Sequence, residues 1–165
     1  MTKAIEIERK FLVATMPDLS TASRSSLRQG YLTVPEDSVE VRLRQTDARF
    51  VLCVKTGSGI VRGEREIEIA RDQFDTLWPQ TEGRRIEKTR WTGRLGEGGL
   101  SFELDVFAGD LEPLVVVEVE FASAEEAEAF SPPDWFGRDV SLDKRFGNKS
   151  LAISGASFVQ ALPDA

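Results

Sequence analysis

The sequence predicts a mainly β, α+β fold, and three observations carry that reading. Eight stretches alternate apolar and polar side chains, Gly and Pro punctuation links several of them tightly enough to make neighbours antiparallel, and helical signals are few. The first stretch, residues 4–13, opens with Glu6-Ile7-Glu8-Arg9-Lys10; alternation puts Glu6, Glu8 and Lys10 on one face and Ile5, Ile7 and Phe11 on the other. Residues 27–33 and 38–45 follow, separated by Pro35-Glu36-Asp37-Ser38, and in the second of them Glu40, Arg42 and Arg44 alternate with Val39, Val41 and Leu43. In residues 50–56 Lys55 lies opposite Phe50, Leu52 and Val54. Thr56-Gly57-Ser58-Gly59 then turns the chain into residues 61–70, where Arg62, Glu64, Glu66 and Glu68 share a face. A short helix with an Asp start is expected over 72–78. Residues 84–95 contribute Lys88 and Arg90, and Gly96-Glu97-Gly98-Gly99 leads to 100–107, where Glu103 and Asp105 oppose Leu100, Phe102, Leu104 and Val106. Gly109-Asp110 precedes 114–121, where Glu118 and Glu120 oppose Val115, Val117, Val119 and Phe121. Ser123 is placed to cap a second helix over 123–130, with Glu125 and Glu126 in its first turn, and a third helical stretch is expected from about 148 to 159. No repeat or linker divides the chain, so residues 1–165 read as one domain.

Composition narrows the function. A net charge of −7 argues against nucleic acid as a partner, because binding to a phosphate backbone needs a basic surface. The chain has no long apolar run and no secretory signal pattern, so no membrane association is expected and the cytoplasm is the natural compartment. One cysteine, Cys53, rules out an internal disulfide and a thiolate-cluster metal site, and the absence of histidine removes the commonest general base and transition-metal ligand. Any metal must then be held by oxygen atoms, which favours Mg2+ or Mn2+.

The alternation also collects charge on one side. The shared face carries the acids Glu6, Glu8, Glu40, Glu64, Glu66, Glu68, Glu103, Asp105, Glu118 and Glu120 and the bases Lys10, Arg42, Arg44, Lys55, Arg62, Lys88 and Arg90. Desolvating unpaired charges costs several kcal/mol per ion, so these groups must be wet, paired or bound to ions. Two geometries satisfy that requirement: a flat sheet with its charged face in solvent, or a sheet closed around a wet charged interior with helices outside. The segregation of basic pairs and acidic pairs onto different strands favours the second, because a site for metal ions and a polyanion needs that order.

These residues resemble the CYTH family, also called the triphosphate tunnel metalloenzymes. Glu6, Glu8 and Lys10 match its N-terminal Glu-x-Glu-x-Lys, and further matches run in family order: Gln29-Gly30-Tyr31-Leu32, Val41-Arg42-Leu43-Arg44, Lys55-Thr56-Gly57, Arg62-x-Glu64-x-Glu66, Glu87-Lys88-Thr89-Arg90, Glu103-Leu104-Asp105, Val117-Glu118-Val119-Glu120-Phe121 and Asn148-Lys149-Ser150-Leu151-Ala152. The resemblance implies an eight-stranded antiparallel closed barrel forming a tunnel, with helices packed outside. It implies that Lys10, Arg42, Arg44, Lys55, Lys88 and Arg90 grip a linear triphosphate, with Arg62 and Arg145 as further candidates. Glu6, Glu8, Glu118 and Glu120 are the implied ligands of two divalent ions, Mg2+ or Mn2+. Glu66, Glu68, Glu103 and Asp105 serve as ligands, as partners of the ligands or as counter-charges to the arginines. In the implied mechanism one ion orients the triphosphate and the second activates water for in-line attack; Glu66 or Glu68 orients that water and a lysine stabilises the leaving diphosphate. Tyr31 is implied to lie near Lys10 and Lys88 and to help set their protonation, or else to be a barrel tyrosine bonded to a neighbouring charge.

The family loop matching Asp143–Asn148 often carries a tyrosine where Phe146 stands. The stretch after Asn148 reads either as a helix across the tunnel end or as a plain amphipathic cover with Leu151, Ile153 and Phe158 as anchors. Hydrolysis of inorganic triphosphate to diphosphate and phosphate is the first expectation. An adenylyl cyclase or a thiamine or nucleoside triphosphatase on the same scaffold, and a non-catalytic polyphosphate or nucleotide sensor, are the alternatives. The organic substrates need a pocket for which Trp91, Trp135 and Phe136 are the available aromatics, although packing explains them better. The family includes homodimers, so a homodimer is also open.

Overall fold

The computed structural model describes residues 7–56 and 63–162. Glu6, Arg62 and the Gly57-Ser58-Gly59 part of the expected turn therefore lie outside the described residues.

One antiparallel sheet dominates, with nine strands among the described residues rather than eight: β1 Ile7–Val13, β2 Ser23–Tyr31, β3 Val39–Thr46, β4 Arg49–Thr56, β5 Gly63–Glu68, β6 Arg85–Leu95, β7 Leu100–Phe107, β8 Val115–Phe121 and β9 Phe136–Asp139. Their order is β5-β4-β3-β2-β6-β7-β8-β1-β9. The strand pairs run from β5 to β9 without joining these two ends, so hydrogen bonds do not close the sheet among the described residues. The expected mainly β, antiparallel architecture is therefore present, without hydrogen-bonded closure of the sheet among the described residues. The added strand β9 is short and pairs with β1 through Phe11↔Asp139 and Val13↔Phe136. β2 also begins four residues before the expected start, because Ser23, Arg24, Ser25 and Ser26 are held by pairing to β6 rather than by their own alternation.

The sheet is strongly curled. Lys10 Nζ on β1 donates to the Phe146 carbonyl at 3.1 Å, and Lys149 Nζ pairs with Glu40 on β3 at 3.2 Å. A flat sheet would hold β1 and β3 about 24 Å apart, so one short C-terminal segment reaches both only because the sheet wraps around it.

Helices cover the outer face in two places. α1 (Arg71–Leu77) buries Phe74 completely against Leu43 and Phe50, with Trp78 stacked on Phe74 at 5.1 Å. Burial of a side chain of that size contributes roughly 2–3 kcal/mol. α2 (Ala124–Ala129) starts at the Ser123 cap, whose Oγ accepts from the Glu126 amide. It seats Ala127 in a second cluster with Phe11, Leu104, Val117, Val119 and Phe136. The third helical stretch is broken at Gly155, whose φ of 53° no β-carbon tolerates well, into α3 (Asn148–Ser154) and α4 (Ala156–Gln160).

α3 and α4 lie on the inner face, not the outer one. Leu151 and Phe158 are buried there with Leu12, Tyr31, Ile86, Phe107 and Val116, one residue from each of five strands. Ile153 is exposed and is not an anchor. Each of these five strand residues continues a series of charged or polar positions at a spacing of two, so the inner face is charged along part of its length and apolar at one end, where the C-terminal helices form a floor.

Candidate functional site: a charged cavity above an apolar floor

Register builds the site. Tyr31 faces Arg42, Gln29 faces Arg44, Lys55 faces Glu40 and Glu64, Arg90 faces Asp105, and Glu118 faces both Lys10 and Glu103. In antiparallel pairs directly opposed side chains share a face, so the predicted site residues inside the described stretches, Arg145 apart, converge on the inner wall.

The basic wall comes from β2, β3 and β6. A cavity of about 70 Å3 is lined by Leu27, Gln29, Arg42, Arg44, Ile86, Lys88, Arg90 and, from α3, Asn148. Four cations therefore surround a narrow space. Arg42 touches Glu64 at 3.4 Å, but its Nε is buried without a hydrogen-bond partner. A buried donor with no acceptor costs about 1–3 kcal/mol, and an anion oxygen would relieve that cost. Arg44 pairs with Glu66 at 2.9 Å, and Lys55 with Glu64 at 3.8 Å. Lys88 is buried; its Nζ donates to Asp105 Oδ2 at 2.7 Å and to Asn148 Oδ1 at 3.4 Å. Burial, with Arg90 nearby, lowers the Lys88 ammonium pKa from its ordinary value. Burial acts against ionised Asp105, but hydrogen bonds from Arg90 and the Lys88 charge outweigh it and hold Asp105 below the usual carboxylate range.

The acidic wall comes from β1, β8 and β7. Glu8 lies beside Glu118 and is opposed in register by Glu120, and Lys10 pairs with Glu118 at 3.0 Å. Glu8 keeps contact with solvent, yet the protein crowded around it and the Glu118 charge push its carboxyl above the ordinary value. Glu103 pairs with Arg90 at 2.7 Å. Carboxylates so placed, with one lysine between them, suit a hard divalent cation.

Other expected residues stand apart. Asp105 has both oxygens taken by Arg90 and Lys88. Glu68 pairs with Arg49 on the exposed margin of β5, at 3.1 Å. Arg145 is bound by Asp143 of its own turn at 2.6 Å with most of its side chain in solvent, and this pairing lowers the Asp143 pKa to about 2. Tyr31 is buried, accepts from Gln29 Nε2 at 2.8 Å and bonds with Arg42, and burial raises its pKa; its hydrogen bonds go to these residues rather than to Lys10 or Lys88. Trp91, Trp135 and Phe136 pack into the outer cluster, away from the cavity.

Two inner-wall residues escaped the sequence reading. Cys53 faces Arg42 and Glu66, donates from Sγ to Glu64 at 3.3 Å, and is pushed by burial up to about 11, so it is a neutral thiol. Its Sγ and oxygens of Glu64 and Glu66 lie within 4.8 Å of one another, but the arginines and Lys55 already answer those two glutamates. Gln29 is buried on the same wall. Cys53 could have been found by extending the alternation one step from Lys55, whereas Gln29 has only Leu27 and Tyr31 two residues away and no charged neighbour to announce it.

A model of the CYTH domain matches residues 4–150. The chain belongs to the CYTH domain family. Within it, this chain is 58% identical over 149 residues to a protein of Nitrosomonas europaea named inorganic triphosphatase, covering 90% of this chain and 97% of that one. A protein of the same name from Acetivibrio thermocellus is 36% identical over 148 residues, covering 88% and 92%. A crystal structure of an inorganic triphosphatase matches with a TM-score of 0.80 at 54% identity, over 93% of this CYTH chain and 98% of that one.

Proposed function

We propose that this CYTH protein is a divalent-metal-dependent inorganic triphosphatase that converts tripolyphosphate and water to diphosphate and phosphate. The observation that carries the reading is the pair of opposed walls. One presents four cations around a narrow cavity with a buried, unpartnered guanidinium donor, and the other presents carboxylates crowded enough to raise a pKa. A metal-bound triphosphate would offer oxygens to the cations of one wall and a cation to the carboxylates of the other. The names of the relatives point to the same substrate.

In this reading the curled sheet works as a tunnel with one end closed by α3 and α4. Arg42, Arg44, Lys88 and Arg90 hold the phosphates, Lys10 bridges the two walls, and Lys55 adds charge along the anion. Glu8, Glu118 and Glu120 would hold Mg2+ or Mn2+. The ion supplies Lewis acidity toward the phosphoryl oxygens. The floor keeps bulk water from the deep end of the cavity, Glu66 keeps Arg44 directed along the wall, and Lys88 offers its proton to the developing charge on the leaving diphosphate.

The test is phosphate release from tripolyphosphate, ATP and thiamine triphosphate with Mg2+, Mn2+ or chelator. Rapid metal-dependent release from tripolyphosphate is expected. Cleavage of ATP or thiamine triphosphate in preference to it would redirect the reading to an organic substrate, and no release from any of them would overturn it.

A further inference from the structure

Lys88 and Arg90 stand two apart on β6 and point to the same face. Their common partner is Asp105, the register partner of Arg90 on β7 and the diagonal neighbour of Lys88. Asp105 is 1% exposed. Its Oδ1 accepts from Arg90 Nε at 2.8 Å, and its Oδ2 accepts from Arg90 Nη2 at 2.8 Å and from Lys88 Nζ at 2.7 Å. A carboxylate that meets a guanidinium through two parallel bonds fixes the plane of the guanidinium as well as its distance. The third bond fixes the direction of the ammonium. Both cations line the cavity, where Lys88 keeps donor capacity that Asp105 does not use. Two fixed cations beside the carboxylate also make it a poor place for a divalent ion.

We infer that Asp105 is a positioning residue for triphosphate recognition, an anchor that sets the Lys88 ammonium and the Arg90 guanidinium toward the phosphates and does not ligate metal. This rests on the triphosphatase reading. It separates two acids that neighbour each other on one strand face: Glu103 belongs to the margin of the acidic wall, and Asp105 belongs functionally to the basic wall.

Calorimetric titration with tripolyphosphate in chelator, and with Mn2+ followed by the magnetic resonance signal of the free ion, separates the roles. Asp105→Asn preserves shape and removes the charge. Tripolyphosphate affinity is expected to fall by about tenfold or more while Mn2+ affinity stays within about twofold of the unmodified protein. In the background of Arg90→Ala the same substitution is expected to cost less, because one of the two groups through which Asp105 acts is already missing. Unchanged tripolyphosphate affinity in a folded variant, a comparable loss of Mn2+ affinity, or full additivity with Arg90→Ala would each overturn the inference. If Asp105→Asn does not fold, Asp105→Glu, which keeps the charge and displaces the fork by one methylene, carries the same comparison. Failure of the unmodified protein to bind tripolyphosphate at all would remove the triphosphatase reading itself, and is seen before any variant is compared.

Discussion

The two walls of the inner face are built from the same alternation and end in opposite electrostatic states. On β3 and β6 the cavity cations Arg42, Arg44, Lys88 and Arg90 each pair with a carboxylate of another strand, and one guanidinium nitrogen of Arg42 is buried without an acceptor. On β1 and β8 carboxylates face each other and Glu8 is held above its ordinary pKa. A solvated sheet face would mix the two signs and neutralise them locally. Separated, one wall gathers cations and the other gathers carboxylates, so the contrast teaches that opposite sides of the cavity favour opposite charges.

The comparison breaks most visibly at Glu8. Glu8→Ala is expected to lower metal-dependent turnover by about three orders of magnitude, the scale of losing several kcal/mol of transition-state stabilisation. Tripolyphosphate binding in chelator should hold steady or improve, because a repelling charge has gone; calorimetry beside a phosphate-release assay reads both. Next comes Arg42→Ala, for which KM should rise roughly tenfold to a hundredfold with a smaller change in kcat, the loss expected for hydrogen bonds to a charged group. A kcat collapse at unchanged KM would place Arg42 in the chemistry instead.

A third expectation concerns pH and metal-free stability. The Glu8 pKa is raised in the folded state, so the folded protein binds that proton more tightly than the unfolded chain does. Its stabilising contribution is present below the ordinary carboxylate pKa and is lost as pH rises through the raised value. Glu8→Gln should therefore give chelated protein a small increase in Tm at neutral pH, and that gain should vanish in acid; thermal melts at the two pH values check the sign. Lys55→Ala, on the partly exposed part of the wall, should raise KM by about fivefold. Arg145→Ala should change steady-state kinetics by less than about twofold, since that side chain is mostly in solvent and bound within its own turn. A larger effect would extend the basic wall to that turn.

Much of the site was legible because alternation is a property of the extended chain. Arg42 and Arg44, Lys88 and Arg90, and Glu118 with Glu120 announce a common face by their spacing alone, and their strand registers put them there. β9 was missed because its residues sit behind Pro132-Pro133 and show no alternation; β1 recruits them through backbone hydrogen bonds. The inner face was read as charged throughout because Leu12, Tyr31, Ile86, Phe107 and Val116 each look like a strand end, and only their convergence beneath α3 and α4 makes them a floor. Tyr31 was linked to the lysines by resemblance, yet its register partner is Arg42. The pairing of Asp105 with Lys88 as well as Arg90 depends on which residues of β6 and β7 lie opposite, and two separate strands do not carry that register in their own spacing.

By itself, then, the sequence determined eight of the strands, the existence of one charged face, the outer helices and the exclusion of histidine, disulfide and thiolate-cluster chemistry, since each of these follows from residue type and from the spacing of apolar and capping residues. Tertiary structure decided which charges neutralise one another, which remain for a ligand, and where the charged face ends. Those outcomes depend on contacts between residues far apart in the chain, such as Lys10 with Phe146 and Lys149 with Glu40, and on the low-dielectric burial those contacts create.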